Sequence, residues 1–371
     1  MAFTSPNPIQ IHRLPQYTYI DALRWLPQLS AFTRRILLAT YDSDTSTPSI
    51  QILTFTPSQN PKSTPSLTHQ SSLSTPSRIT SLKIAPSPLN PSKPLIAAST
   101  FSGSLLFYSA DLIDGSLNLE FSVPEKGLHL GAVSGIDVSD NGSECVSVEN
   151  GRVDLVSIGE KWSVRRVFDS NGLVSYSTVK WASPVEFVTG GLGFGMHWWD
   201  QRKPGGPVVQ FKGNWSRGTT SGIVHSVDIH RSRKHTCLAG GSSGTVFAWD
   251  IRWQQQPVIV SGAWAGGGPA TSLSESEVWE VQYDSYKHSS NSGNVSSSKI
   301  LPAMICSEDG ILAVVEQDEE PVELLAEPCA INSFDIDKEN PSVCQITVLL
   351  FFVLNFITFV PCEVLVFHFT N

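Results

Sequence analysis

The sequence is poor in charge and free of closely spaced cysteines, and each shortage removes a class of protein. Only 16% of its 371 residues are Asp, Glu, Lys or Arg, too few for the long charged helices of a coiled coil or helical array. The 25 basic groups are outnumbered by 34 acidic ones, a net charge of −9. The clustered cation that neutralises phosphates is missing, so direct nucleic-acid binding is not expected. The six cysteines, at 145, 237, 306, 329, 344 and 362, lie at least fifteen residues apart and never form C-x-x-C. That excludes a structural zinc knuckle, and no cofactor is expected. Residues 1–10 carry no basic start followed by an apolar run. A reducing setting with free thiols is therefore expected, and the sequons at Asn141, Asn214 and Asn294 are expected to stay unused.

What is present points to many short strands. There are 27 glycines, 24 prolines and 40% hydrophobic residues, enough apolar matter for a large all-β core. One pattern recurs seven times: apolar, two residues, apolar, one residue, apolar. Its middle residues are Leu23, Leu82, Ile136, Val179, Val227, Val281 and Phe334, at spacings of 59, 54, 43, 48, 54 and 53. The last two apolar positions differ by two, which puts their side chains on one face of a strand. Downstream, small residues lead to a turn glycine, and the fifth residue after it closes a strand: Gly103 and Tyr108, Gly151 and Val156, Gly244 and Trp249, Gly310 and Val315. Asn150-Gly151 and Asp309-Gly310 suit a type I′ hairpin turn. Each unit reads as strand, hairpin, strand.

Residues 188–202 and 238–252 nearly superimpose at an offset of 50: a glycine pair, then Trp199-Asp200 and Trp249-Asp250, then Arg202 and Arg252. Here the chain resembles the WD40 family, whose blades end in Trp-Asp, and the resemblance implies a seven-bladed β-propeller over roughly residues 17–340. The family's Gly-His dipeptide survives only as Leu128-His129 and its Asp before the turn glycine only as Asp309. The hydrogen-bonded tetrad that the resemblance implies is therefore expected to fail in most blades. Segments 56–77, 85–94 and 285–299, rich in Ser, Thr, Asn or Pro, and the acidic stretch 316–327 read as flexible surface loops. Ile9 and Ile11 alternate with polar residues and suit an outer strand of the seventh blade, whose inner strand would hold Ile331 and Ile336.

The propeller is expected to fill residues 1–342, with 343–371 an atypical apolar tail. Residues 346–360 read ITVLLFFVLNFITFV and 364–369 read VLVFHF. Fifteen uncharged residues fall short of the roughly twenty of a spanning helix, so membrane insertion is not expected. The tail either supplies middle strands of the seventh blade or is foreign to the fold. The change of composition after Ser342 favours the second reading, which leaves that blade incomplete.

Catalytic motifs fail on context. Residues 240–244, GGSSG, satisfy G-x-S-x-G, but a strand and not a helix should follow Ser242. Gly190 to Gly195 lacks dinucleotide spacing. His225, His230 and His235, five apart, alternate across a strand and cannot converge on a metal. Trp198, Trp199 and Trp249 are expected between blades. Asp200, Arg202, Asp250 and Arg252 are the protein-binding candidates, because two arginines on one rim can grip carboxylates bidentately. Their W-D-x-R boxes resemble those of receptors that dock on the DDB-type adaptor of cullin-4 ubiquitin ligases, and the competing reading pairs each Arg with its own Asp.

Two longer stretches narrow the resemblance: residues 17–44, YTYIDALRWLPQLSAFTRRILLATYDSD, and 327–342, EPCAINSFDIDKENPS. They look like the opening and last-blade region of the small WD-repeat nucleoporins of the Y-shaped outer-ring complex, particularly the plant form. That implies a noncatalytic scaffold at the nuclear pore, held by an α-solenoid subunit and supporting protein and mRNA transport.

Overall fold

The structure, a computed structural model, describes residues 10–28, 33–56, 65–129, 131–193, 195–212, 222–230, 233–252, 258–260, 276–283, 300–317, 319–336, 346–351 and 362–368. The described strands pair into seven four-stranded sheets. β1 (Gln10–Gln16) comes first in the chain. The first blade follows as β2 (Tyr19–Trp25), β3 (Arg34–Asp42), β4 (Thr47–Thr56) and β5 (Ser66–Ser74). The second is β6 (Ile79–Ala85), β7 (Leu95–Thr100), β8 (Leu105–Ala110) and β9 (Leu117–Val123). A helical turn, Glu125–Leu128, leads to the third: β10 (Gly135–Val138), β11 (Glu144–Glu149), β12 (Arg152–Ser157) and β13 (Ser163–Asp169). The fourth is β14 (Tyr176–Ser183), β15 (Glu186–Gly191), β16 (Gly195–Asp200) and β17 (Val209–Lys212). The fifth is β18 (Val224–Ile229), β19 (Thr236–Gly241), β20 (Val246–Asp250) and β21 (Val258–Ile259). The sixth is β22 (Val278–Tyr283), β23 (Ala303–Ser307), β24 (Ile311–Val315) and β25 (Val322–Ala326). Then come β26 (Ala330–Ile336), β27 (Ile346–Phe351) and β28 (Cys362–His368).

This is an all-β propeller. Six blades are continuous runs of four strands, and the remaining sheet is composite, in the order β1-β28-β27-β26. The expectation of an unfinished last blade is corrected accordingly: the apolar runs 346–351 and 362–368 are strands paired antiparallel with β26, with each other and with β1. Apolar, β-branched-rich runs of six or seven residues have the length and composition of strands. Residues 337–345 and 352–361 lie outside the described set, as do Ile9 and the 285–299 segment.

The repeat pattern has a geometric cause. In six inner strands the register slips by one residue just after the first apolar position, for example between Ile20 and Ala22 and between Val278 and Glu280. A bulge returns the first apolar residue, three ahead of the second, to the same face as the other two. The middle residues are then equivalent: Leu23, Leu82, Ile136, Val179, Val227, Val281 and Phe334 are all 6% exposed or less.

The core lies between blades. Each hydrophobic cluster joins two neighbouring sheets: Ile50 and Leu82 link the first and second, Val148 and Val179 the third and fourth, Leu312 and Phe334 the sixth and the composite sheet. Leu14 of β1 packs on the Leu23 cluster of the first blade, so the circle of contacts returns to its start. Burial of each such Leu, Ile or Phe stabilises by about 1.5–3 kcal/mol.

Two loop expectations are corrected in part. Residues 66–74 are the outer strand β5, although residues 57–64 are outside the described set. Residues 322–326 of the acidic stretch are the outer strand β25. An outer strand bonds through its backbone on one edge and leaves many side chains in water, so polar composition does not oppose it. Residues 86–94 connect β6 to β7, residue 85 ending β6. The type I′ turns are also corrected. Gly151 and Gly310 have φ of +83° and +82°, while Asn150 and Asp309 are not among the residues of positive φ. The Gly310 N–H donates to Ser307 O, a turn in which only the glycine must be left-handed.

Candidate functional site

The polar residue between the last two apolar positions of each repeat faces the middle of the ring. These residues are Arg24, Lys83, Asp137, Lys180, Asp228, Gln282 and Asp335, and all seven line one cavity of about 560 Å³. Sequence reasoning missed this ring, although its signal was present: a polar residue at one fixed position of all seven repeats.

The ring is a set of bonds between blades. Asp137 Oδ2 accepts the Trp181 N–H at 2.8 Å, Asp228 Oδ2 the Tyr283 N–H at 2.8 Å, and Asp335 Oδ2 the Trp25 N–H at 2.8 Å. The last of these joins the composite sheet to the first blade by the bond that joins the third to the fourth. Lys180 Nζ reaches Asp228 at 3.2 Å. Burial alone would lower the Lys180 ammonium, but Asp137 and Asp228 outweigh it and raise it above its ordinary value.

Arg24 spans three sheets. It donates to Leu23 O at 2.6 Å, to Ser333 Oγ at 2.9 Å and to Glu280 Oε1 at 2.8 Å. Glu280 Oε2 accepts Ser333 Oγ–H at 2.8 Å and the Phe334 N–H at 3.2 Å. Burial would raise the Glu280 carboxyl, yet Arg24 first and Lys83 next hold it below its ordinary 4.5.

The protein-binding candidates sit on the opposite rim from the turn glycines, where β16 and β20 end. Arg202 forks onto Asp200 at 2.8 and 2.9 Å, and Arg252 onto Asp250 at 2.9 and 2.5 Å. Each fork is filled by its own neighbour, and the arginines hold both carboxyls below their ordinary range.

The tempting motifs are placed apart. Ser242 Oγ accepts the Ile223 N–H at 2.8 Å in the turn between β19 and β20, with no helix after it. The glycine pairs serve blade packing: a Cβ on Gly190 would stand 2.7 Å from Val224 Cγ1, and one on Gly240 2.7 Å from Val278 Cγ1. His225 bonds Glu277 at 2.7 Å, whereas His230 packs edge-on to Tyr283. Among the described residues no His, Cys, Asp and Glu group converges on a metal position. Trp198, Trp199 and Trp249 are each 2% exposed. Fragments of the tetrad survive: His129 bonds Ser147 Oγ and Glu149, each at 3.0 Å, and Trp199 donates to Thr189 Oγ1 at 3.0 Å. Tyr17, Phe101, Leu173 and Leu192, 94, 69, 89 and 59% exposed, all lie in connections on the face where inner strands begin. Among the described residues no helix is long and apolar enough to cross a membrane.

A ring of four-stranded blades, two ending in Trp-Asp, with most of its polar centre spent on holding blades together, defines a WD40-like propeller of the protein-scaffold class. No protein-family description matches the chain. It is 55% identical over 347 residues, 91% of this chain and 95% of the relative, to the nuclear pore complex protein NUP43 of Arabidopsis thaliana. It is also 28% identical over 176 residues to nucleoporin Nup43 of Mus musculus and 27% over 173 to that of Homo sapiens, each match covering 39% of the relative. The chain belongs to the Nup43 family of nucleoporins.

Proposed function

We propose that the chain is a noncatalytic scaffold subunit of the outer ring of the nuclear pore complex, held by an α-solenoid nucleoporin and supporting transport of protein and mRNA. Its place is the pore at the nuclear envelope, with other nucleoporins as partners. The observation that carries this reading is 55% identity along nearly the whole chain. A propeller most of whose ionisable centre is committed to inter-blade bonds supports a role of holding and being held. Exposed Tyr17, Phe101, Leu173 and Leu192 support protein contact on their face.

In the same reading the composite sheet acts as a seventh blade, and residues 343–371 complete it instead of standing apart from 1–342. The repetition of the Asp-to-backbone bond by Asp335 and Trp25 supports this closure. Docking through Asp200, Arg202, Asp250 and Arg252 is a separate matter: the filled forks favour a turn brace.

Affinity purification of the tagged chain with mass spectrometry tests the main proposal. Recovery of scaffold nucleoporins without the cullin adaptor is expected, and adaptor without nucleoporins would sink it. Changing Arg202 and Arg252 together to Ala should leave nucleoporin recovery unchanged.

A further inference from the structure

Three cations stand at the ring position of the central cavity, and two of them are answered. Arg24 is paired with Glu280 and Lys180 with Asp228. The Lys83 side chain makes no ion pair or hydrogen bond among the described residues, although it lines the same cavity. The ring position beside it, Asp137, has Oδ2 engaged by the Trp181 N–H.

We propose that Lys83 is a covalent modification site, its ε-amine accepting an acyl group from a small activated donor of the acyl-phosphate or thioester class. The amine lone pair forms a C–N bond to the carbonyl carbon. The C–O or C–S bond breaks, phosphate or thiolate leaves with the electron pair, and the amine proton passes to the leaving group or to water.

Three features support the site. The cavity holds about 560 Å³ and reaches solvent past Pro86, Pro91, Asp140 and Lys234, which are all exposed, so a two- or three-carbon acyl group fits. The amide product is neutral and removes a charge that is half-buried without its own counterion, while the amide N–H stays available to Asp137. The charged groups acting on the amine are Arg24 on β2, Asp137 on β10, Lys180 on β14 and Glu280 on β22. Burial first, then Lys180 and Arg24, outweigh Asp137 and Glu280 and bring Lys83 from 10.5 down to about 8. At pH 8 about half of such amines are neutral and nucleophilic, against about 0.3% of ordinary lysines.

The test incubates the purified full chain with acetyl phosphate and follows acetylation of each lysine by peptide mass spectrometry. At pH 8, Lys83 should react roughly tenfold faster than the exposed Lys161 and Lys203, the gain in neutral amine being tempered by lower basicity. Its rate should level off above about pH 9, while the rate of a lysine of ordinary basicity is still climbing there. Asp137→Asn keeps an acceptor for Trp181 and should accelerate Lys83 further, because it removes an anion that holds the proton. A Lys83 rate equal to or below that of Lys161, or a profile rising through pH 10 in step with it, overturns the proposal in the unaltered protein. An unchanged or slower rate in Asp137→Asn overturns the electrostatic account of it.

Discussion

Replacing Arg24 by Met would test whether the ring is held by its charged centre. The Arg24 and Glu280 side chains are only 14% and 12% exposed, and the substitution leaves Glu280 buried with its Ser333, Phe334 and Gln282 hydrogen bonds but without Arg24. Breaking one partner of a buried pair costs about 3–5 kcal/mol. With an unfolding entropy near 2.1 cal/mol/K per residue, 4 kcal/mol lowers the melting temperature of a chain this size by about 5 °C. The sign with pH follows from Glu280, whose folded value is depressed below 4.5. Its stabilisation is present above pH 4.5 and lost as pH falls through the folded value. In Arg24→Met the main cause of the depression is gone, so the stability gap to the unaltered protein should be full at pH 7 and narrow as pH falls below 4.5. Urea and thermal melts from pH 7 down to about pH 3 measure it. Adding Glu280→Gln should recover most of the loss, since the buried carboxylate left without Arg24 is then neutral. A loss under about 1 kcal/mol, a gap that does not change with pH, or no recovery in the double variant would refute the reasoning.

Further outcomes follow from the same geometry. Gly240→Ala forces a methyl to within 2.7 Å of both Val278 Cγ1 and Val281 Cγ1, and a melt should show about 1–3 kcal/mol of overpacking loss. Lys83→Met should stabilise at neutral pH. The lowered ammonium costs at most about 3 kcal/mol below pH 8, reduced to about 1 by cavity water, and the advantage should fade as pH rises from about 8 to 10.5, where the unfolded lysine also loses its proton. Ending the chain after Ser342 deletes β27 and β28 and leaves β1 and β26 without their partners. Size-exclusion chromatography should then show association through bare strand edges, and a monomer of unchanged melting temperature would contradict the closure.

The sequence by itself determined the all-β class, the places of the inner strands, the glycine turns and the Trp-Asp strand ends. These depend on side-chain period and on residues that tolerate positive φ, both readable within a few neighbouring positions. Outer strands β5 and β25 escaped it because backbone pairing along one edge asks for no apolar alternation, and the bulges escaped it because a register slip is a relation between two strands. Only the tertiary structure decided that Arg24 meets Glu280 and Ser333, 256 and 309 positions away, that β28 lies beside β1, and that the arginine forks are filled at home. Curving the sheets into a ring brings the same position of distant repeats to one centre, and the electrostatics of that centre arise from proximity that no local pattern records.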